Sequence, residues 1–192
     1  MAKRQPASDL LRTVEEFDRW HAEHPERWEF IEGWPVMMAP GSLPHTIIKT
    51  NIGRHLGNRL DGSSCRVFVE GAQVKSRRLS AIPDLVVACA PFDLASPTIS
   101  EPVVIVEVLS PWGERDDTGR KWQGYCLIPS LRHYLVVAQE SRFVTAHTRT
   151  GSASFDERVY QEGTIQLEAI GASLSLDEIY DDVTFEVPAD DA

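Results

Sequence analysis

The stretch IPDLVVACAPFDLASPTISEPVVIVEVLSP, residues 82–111, contains two apolar runs of strand length separated by a loop rich in proline and serine. Runs of successive valine and isoleucine are typical of buried β-strands. Each run also carries an acid: Asp84 opens the first, and Glu107 lies inside the second. Because a buried carboxylate is costly unless its charge is compensated, both acids are expected to have partners.

We predict that the two runs pair as antiparallel strands with Asp84 opposite Glu107, a register that places Cys89 opposite Pro102. Directly opposed side chains have Cβ atoms about 5 Å apart, so the two carboxylates repel each other unless a cation lies nearby. A divalent ion such as Mg²⁺ or Mn²⁺ suits hard oxygen donors of this kind. The structural alternative is that Asp84 caps the turn after Pro83 and Glu107 pairs with an arginine.

The flanking sequence predicts a mixed chain of helices and strands. Thr13 with Glu16 forms a capping box for a short helix that ends at Pro25, and two alternating runs around residues 32–33 indicate a β-hairpin. Apolar residues at every fourth position predict an amphipathic helix over residues 44–60, with its basic residues on the other faces. These basic residues are Lys49, Arg54 and Arg59. Further runs of strand type follow, and LSLDEIYDDV indicates a short closing helix.

The composition is that of a globular chain: 192 residues, of which 42% are hydrophobic and 25% charged. We predict a flexible tail over residues 1–12, a single domain over residues 13–182 and an acidic tail over residues 183–192. The formal net charge of −10 opposes tight non-specific binding to nucleic acid. A nucleic-acid partner therefore requires a local basic surface or bridging cations.

Signals for export or membrane insertion are missing from the sequence as it stands. The N-terminal segment has basic residues without the apolar stretch of a secretory signal, and the longest apolar runs are only of strand length. Cys65, Cys89 and Cys126 form no C-x-x-C pair, and we interpret them as buried thiols in a reducing compartment. A cytoplasmic protein that does not act at a membrane is the expected outcome.

A second helix is predicted directly after the Glu107 strand. In DDTGRKWQGY, three residues lie at positions i, i+4 and i+8, on one helical face: Asp117, Lys121 and Tyr125. Lys121 either turns back toward the two carboxylates or forms a weak surface pair with Asp117. Tyr125 is interpreted as a packing residue with a bonded hydroxyl.

Together these segments resemble the bacterial Uma-two (Uma2) family of restriction-endonuclease-like proteins, within the PD-(D/E)XK nuclease superfamily. The matching residues are Pro83-Asp84, Glu107 with the four residues after it, Asp117, Lys121, Tyr125 and SLRHYLVV. Further support comes from TVEEF, WEFIEG and His45, and the resemblance extends from about Thr13 to about Tyr180. It implies an α/β (α+β) fold in which helices flank a mixed β-sheet, with an N-terminal helix and hairpin.

The resemblance also implies a metal-dependent phosphodiesterase site. Asp84 and Glu107 are the implied ligands of Mg²⁺ or Mn²⁺, the backbone carbonyl of Val108 is a further ligand, and Glu29 holds the metal directly or through water. The superfamily lysine usually stands two residues after the glutamate, where this chain has Leu109.

Two further residues have roles under this resemblance. Lys121 is interpreted as the superfamily lysine relocated to the following helix, where it orients the attacking water or stabilises the transition state. His45 either relays a proton or caps its helix.

The predicted function is therefore a metal-dependent endonuclease acting on DNA, with catalytic residues Glu29, His45, Asp84, Glu107 and Lys121. One alternative is a nuclease fold with a binding or regulatory role and little or no cleavage. Another is a phosphodiesterase for small nucleotides. Exposed strand edges and the resemblance lead us to expect a homodimer.

Overall fold

The computed structural model of the chain describes residues 11–38, 40–109 and 115–185, without the side chains of residues 115–118. The predicted flexible tail lies outside these ranges except for residues 11–12, and the predicted acidic tail lies outside them except for residues 183–185. The helices in the described ranges are α1 (Val14–His21), α2 (Leu43–Arg59), α3 (Arg115–Tyr125) and α4 (Leu176–Ile179).

Most of the described chain is organised around β-strands. The strands of the N-terminal half are β1 (Trp28–Ile31), β2 (Trp34–Met37), β3 (Cys65–Val69), β4 (Gln73–Ser76), β5 (Leu79–Ala81), β6 (Leu85–Cys89) and β7 (Thr98–Ile99). The strands that follow are β8 (Pro102–Leu109), β9 (His133–Ala138), β10 (Val144–Arg149), β11 (Phe155–Tyr160), β12 (Thr164–Leu167) and β13 (Ala172–Ser175).

The central sheet has six strands in the order β11-β10-β9-β8-β6-β3. β8 and β9 are parallel, because α3 connects them, and the other neighbours are antiparallel. One face packs against α2 and α4 in the larger core, and the other face packs against the end of α3 in a second core. The predicted mixed sheet flanked by helices is thereby confirmed.

A second sheet of five strands lies beside the first, in the order β2-β1-β5-β4-β7. Its β1–β2 hairpin turns at Glu32, which has φ 50°, and Gly33, which has φ 92°. Both values lie in the left-handed region that a tight two-residue hairpin turn requires. The predicted hairpin is present, and its first strand carries Glu29.

The predicted pairing of the two acidic strands is also present. Three register pairs share the predicted alignment: Leu85 with Val106, Val86 with Ile105, and Val87 with Val104. One further step places Asp84 opposite Glu107. Beyond Val87 a β-bulge shifts the register, so Ala88 pairs with Pro102 and the predicted pairing of Cys89 with Pro102 is wrong. The bulge adds one residue to β8, which shifts every later pair by one position.

Hydroxyl side chains cap the N-termini of α1 and α2, and of these two caps only Thr13 was predicted from sequence. The Thr13 hydroxyl accepts the backbone N–H of Glu16 at 3.2 Å at the start of α1. At the start of α2, the Ser42 hydroxyl accepts the backbone N–H of His45 at 3.2 Å, so Ser42 rather than His45 is the cap. A capped first turn fixes where each helix begins, and for α2 this sets the position of His45.

Two contacts hold the C-terminal end of α3 in place. A Cβ on Gly124 would lie 2.7 Å from the Cβ of Leu79, so only glycine permits this close approach of α3 to β5. The guanidinium of Arg149, on β10, donates to the carbonyls of Cys126 at 3.0 Å, Ile128 at 2.8 Å and Leu131 at 2.6 Å. These contacts fix the end of α3 to both sheets.

The cysteines differ from the sequence interpretation. Cys65 and Cys89 lie opposite each other on β3 and β6 and form a disulfide, so the interpretation of all three cysteines as buried thiols is wrong. Cys126 is free and half-buried. The pairing arises because the register of two strands brings together residues 24 positions apart.

No helix in the described ranges combines the length and the apolar character that crossing a membrane requires.

Candidate active site

Glu107 lies near the end of β8 and is only 8% exposed. Its Oε1 accepts a hydrogen bond from the Tyr125 hydroxyl at 2.7 Å and another from Lys121 Nζ at 3.2 Å. The hydroxyl of Tyr125 is therefore bonded, as predicted, and its partner is the acid itself. Glu107 has a lysine and a tyrosine as partners, so the alternative of a pair with arginine does not describe it.

Lys121 joins two acids from different sheets. Its ammonium lies 3.2 Å from Glu107 Oε1, and 3.0 Å and 2.9 Å from the two carboxylate oxygens of Glu29. Glu29 is fixed in turn because its Oε1 accepts the backbone N–H of Ile82 at 3.0 Å. The side chain of Asp117, the alternative partner of Lys121, lies outside the described residues.

Asp84 is held from two directions at the start of β6. Its Oδ2 accepts the Val108 backbone N–H at 2.8 Å and lies 3.2 Å from His45 Nε2. Its Oδ1 lies 3.6 Å from Lys49 Nζ. The carboxylate thus bonds to the neighbouring strand and to α2 instead of capping the turn after Pro83.

Lys49 is a site residue that the sequence analysis missed. It does not lie on a solvent-facing side of α2 but is buried, with its ammonium 2.8 Å from Glu70 Oε1 and 3.6 Å from Asp84 Oδ1. Lys49 follows His45 by one helical turn, so both side chains reach Asp84 from the same face. The i, i+4 spacing of His45 and Lys49 is the sequence feature from which Lys49 could have been predicted to lie at the site.

The pKa values of the two acids on the paired strands, Asp84 and Glu107, are shifted in opposite directions. Burial raises the pKa of Glu107 to about 7, and the charges of Asp84 and Glu29 add to this effect, while Lys121 opposes it. Burial would also raise the pKa of Asp84. The hydrogen bond and charge of His45, the Val108 N–H and Lys49 outweigh burial and lower that pKa below its ordinary value. Asp84 is therefore anionic at neutral pH, whereas Glu107 exchanges a proton there.

Lys121 stays charged over the whole physiological range. Burial would lower the pKa of its ammonium, but the carboxylates of Glu107 and Glu29 raise it above the ordinary value. Burial, together with the charge of Glu107, raises the pKa of Tyr125 well above its ordinary value. The tyrosine hydroxyl is consequently a fixed donor to Glu107.

The donor types at this site fit a hard divalent cation. Carboxylate oxygens of Asp84 and Glu107 and the backbone carbonyl of Val108 are ligands that Mg²⁺ and Mn²⁺ accept. Within residues 11–38, 40–109 and 115–185, no three His, Cys, Asp or Glu side chains converge closely enough to form a complete ligand set. Lys121 instead holds Glu107 and Glu29, while the Val108 N–H and His45 hold Asp84.

His45 has one ring nitrogen in contact with the site. Its Nε2 faces Asp84, while Nδ1 is buried and has no hydrogen-bond partner among the described residues. With Nε2 directed at a carboxylate, the imidazole fixes the side chain of Asp84 against the start of α2.

Comparison with protein families gives a match over most of the chain. The sequence model of the Uma2 family, described as "Putative restriction endonuclease", matches residues 14–178. The chain belongs to the Uma2 family. The resemblance drawn from the sequence is confirmed, and the match includes the elements that carry Glu29, His45, Asp84, Glu107 and Lys121.

Two cyanobacterial relatives of this Uma2 chain come from Synechocystis sp. (strain ATCC 27184 / PCC 6803 / Kazusa). The uncharacterized protein slr1290 is 30% identical over 175 residues, which cover 89% of this chain and 92% of that protein. The uncharacterized protein sll1609 is 26% identical over 150 residues, which cover 76% of this chain and 85% of that protein.

A solved structure shares the fold. The crystal structure of "a putative nuclease belonging to DUF820" from Anabaena variabilis superposes with a TM-score of 0.72 at 16% sequence identity, covering 87% of this chain and 96% of that one. Family and fold together make this Uma2 chain a nuclease-like protein.

Proposed function

We propose that this Uma2 chain is a metal-dependent endonuclease that hydrolyses phosphodiester bonds in DNA. The observation that carries the proposal is the convergence of Glu29, Glu107 and Lys121 beside Asp84, on elements of two sheets and one helix. A buried charged lysine between two carboxylates is an expensive arrangement to keep for stability alone, since apolar residues of similar volume often serve as well.

Asp84, Glu107 and the Val108 carbonyl would hold Mg²⁺ or Mn²⁺. When bound, such an ion supplies Lewis-acid polarisation of a phosphate oxygen and lowers the pKa of water. The Val108 N–H fixes the Asp84 carboxylate beside β8, and the Tyr125 hydroxyl fixes that of Glu107. The protein thereby orients both acids before a substrate arrives.

Lys121 is proposed to act on the phosphate and the attacking water. Its ammonium is charged at neutral pH and lies 3.2 Å from Glu107, so a phosphate bound at the acids is within its reach. A fixed positive charge there stabilises the additional negative charge that the phosphate oxygens acquire in the transition state. Glu29 holds this ammonium in place through both of its carboxylate oxygens.

His45 is proposed to position Asp84. Its Nε2 is engaged by that carboxylate and its Nδ1 is buried, so neither nitrogen faces an incoming phosphate. We accordingly assign His45 to orienting a metal ligand rather than to relaying a proton.

The proposed domain bounds, oligomeric state and location of the protein are those predicted from the sequence. We propose one domain over residues 13–182, a homodimer whose two sites cut opposite strands, and a cytoplasmic location. The net charge of −10 makes DNA binding dependent on a local basic surface or on cations that bridge the protein and the phosphates.

A second candidate is a nuclease-like module that binds without cutting. The observation in its favour is that Lys121 and Lys49 already neutralise the acids that would hold a metal. In such a module the lysines serve stability, and metal has no effect on function.

Nicking of supercoiled plasmid DNA in Mn²⁺ or Mg²⁺ distinguishes the two candidates. We expect cleavage by the wild-type chain that disappears in Asp84→Asn and in Glu107→Gln. Glu162→Gln, on the exposed turn between β11 and β12, serves as a control that retains cleavage. Cleavage that survives both site substitutions would come from a contaminant or from another site. No cleavage by any variant would favour the binding module.

A further inference from the structure

Lys49 lies between two carboxylates that it contacts unequally. Its ammonium is 2.8 Å from Glu70 Oε1 and 3.6 Å from Asp84 Oδ1, and the Lys49 side chain is 9% exposed. A distance of 2.8 Å is that of a close ion pair, whereas the attraction is weaker at 3.6 Å. The ammonium is therefore held on Glu70 and only approaches Asp84.

Glu70 is fixed beside Asp84 by the backbone. It follows β3 with φ 47°, a left-handed conformation that is uncommon for residues other than glycine. Its N–H donates to the Asp84 carbonyl at 3.0 Å, so the turn is tied to the start of β6. Arg27 also lies 3.8 Å from Glu70, but it is half-exposed and is the weaker partner.

The oxygens of Asp84 are used unequally as a result. Oδ2 is close to both the Val108 N–H and His45 Nε2, while among the described residues Oδ1 has only the distant ammonium of Lys49. Oδ1 is thus the oxygen with capacity left for a cation. An ammonium that moved onto Oδ1 would compete for that capacity and would repel a divalent ion.

We propose that Glu70 is a positioning residue that holds the Lys49 ammonium away from Asp84 Oδ1 and so leaves this oxygen free for a divalent cation. The inference rests on the proposed function, because it takes Asp84 as a metal ligand. It assigns a role to two residues, Lys49 and Glu70, that lie outside the set chosen from the sequence.

Calorimetric titration with Mn²⁺ alone tests this inference without requiring cleavage. The variants are Glu70→Gln, Lys49→Met and the double substitution, with Glu162→Gln as the control. Glu70→Gln is expected to weaken Mn²⁺ binding by about tenfold or more, the range typical of residues that orient metal ligands. Lys49→Met is expected not to weaken binding, and the double variant is expected to recover the affinity lost in Glu70→Gln, because no ammonium is left to move.

The double variant separates this role from simpler ones. If Glu70 were itself a metal ligand or only stabilised its turn, removal of Lys49 would not restore binding. Wild-type affinity in Glu70→Gln, or equal weakness in the single and double variants, would overturn the inference. Lys49→Gln replaces Lys49→Met if circular dichroism shows that the Met variant is unfolded. A wild-type chain that binds no Mn²⁺ would instead overturn the proposed function, and the inference with it.

Discussion

The ammonium of Lys121 and the carboxylate of Glu107 lie 3.2 Å apart, although the two residues are 14 positions apart and belong to a helix and a strand. The helix returns across the end of the strand and brings the lysine to the acid. A lysine two residues after Glu107 would instead occupy position 109, which here is a leucine. The ammonium beside Glu107 is thus supplied by a residue of the following helix and not by a neighbouring residue of the strand.

Replacement of Lys121 by methionine is expected to separate cleavage from metal binding. Loss of the ammonium should lower the cleavage rate about 10²–10³-fold, the effect of removing one preorganised donor. Binding of Mn²⁺ should be retained or become tighter, because no positive charge competes at Glu107. Plasmid nicking and Mn²⁺ calorimetry measure the two effects. Lys75→Met, which breaks a surface ion pair with Asp18, is the control for metal binding. Loss of Mn²⁺ binding in a folded Lys121→Met variant would contradict the assignment of Lys121 to cleavage rather than to metal binding.

Asp84→Asn is expected to abolish stabilisation by metal. The amide keeps an oxygen for the Val108 N–H but lacks the charge that a dication requires. Mn²⁺ at about 100 times its Kd should stabilise the wild-type chain by about 2.7 kcal/mol, and this gain should be absent from the variant. Thermal unfolding with and without Mn²⁺ gives both values. The assignment of Asp84 as a ligand would be wrong if the variant kept the full gain.

The stability of the metal-free chain is expected to fall as the pH rises toward neutrality. Burial raises the pKa of Glu107 from 4.5 to about 7 in the folded state, so the folded state binds more protons than the unfolded state between these values. The resulting contribution is fully present below pH 4.5 and is lost as the pH rises through 7, on the order of 3 kcal/mol.

Urea unfolding of the wild type and Glu107→Gln at pH 5 and pH 8 measures the pH-dependent contribution of Glu107 to the unfolding free energy. The glutamine does not titrate, so the difference in unfolding free energy between the two chains should change with pH in the stated direction. A difference that stays constant from pH 5 to pH 8 would mean that Glu107 has an ordinary pKa.

Tyr125→Phe is expected to weaken metal binding while the fold is retained. The substitution removes only the hydroxyl that donates to Glu107 at 2.7 Å, and such orienting contacts are typically worth 10-fold or more in metal affinity, so a loss of about tenfold is expected. Tyr134→Phe is the matched control, because the buried Tyr134 hydroxyl has no hydrogen-bond partner in the described part of the chain. Mn²⁺ calorimetry on both variants decides the matter, and equal affinities would show that the Tyr125 hydroxyl serves packing alone.

The central strand pair could be predicted from sequence because each strand is a continuous apolar run, one preceded by Asp84 and the other interrupted by Glu107. The β-bulge after Val87 could not be predicted, since either register buries the same kinds of side chain. The disulfide was missed for a related reason: Cys65 and Cys89 meet only through the register of β3 with β6.

Some of the site residues could likewise be predicted from sequence, and others could not. Acids inside apolar runs are conspicuous, so Asp84 and Glu107 were found at once. Lys49 was missed because helical periodicity assigns a lysine to the polar face, and its burial depends on an acid that arrives from a distant turn. Contacts between elements that are far apart in sequence carry no signature in local hydrophobic pattern.

In the described part of the chain Arg149 contacts none of the site acids Glu29, Asp84 and Glu107, yet its bonds to three carbonyls anchor the segment after α3 and so help to fix the direction in which Lys121 projects. A random mutagenesis screen for inactive variants would therefore recover position 149 alongside the acids themselves. Under the proposed function, purified protein from such a colony would retain every proposed ligand and still cleave DNA poorly, because Lys121 would be misplaced rather than missing.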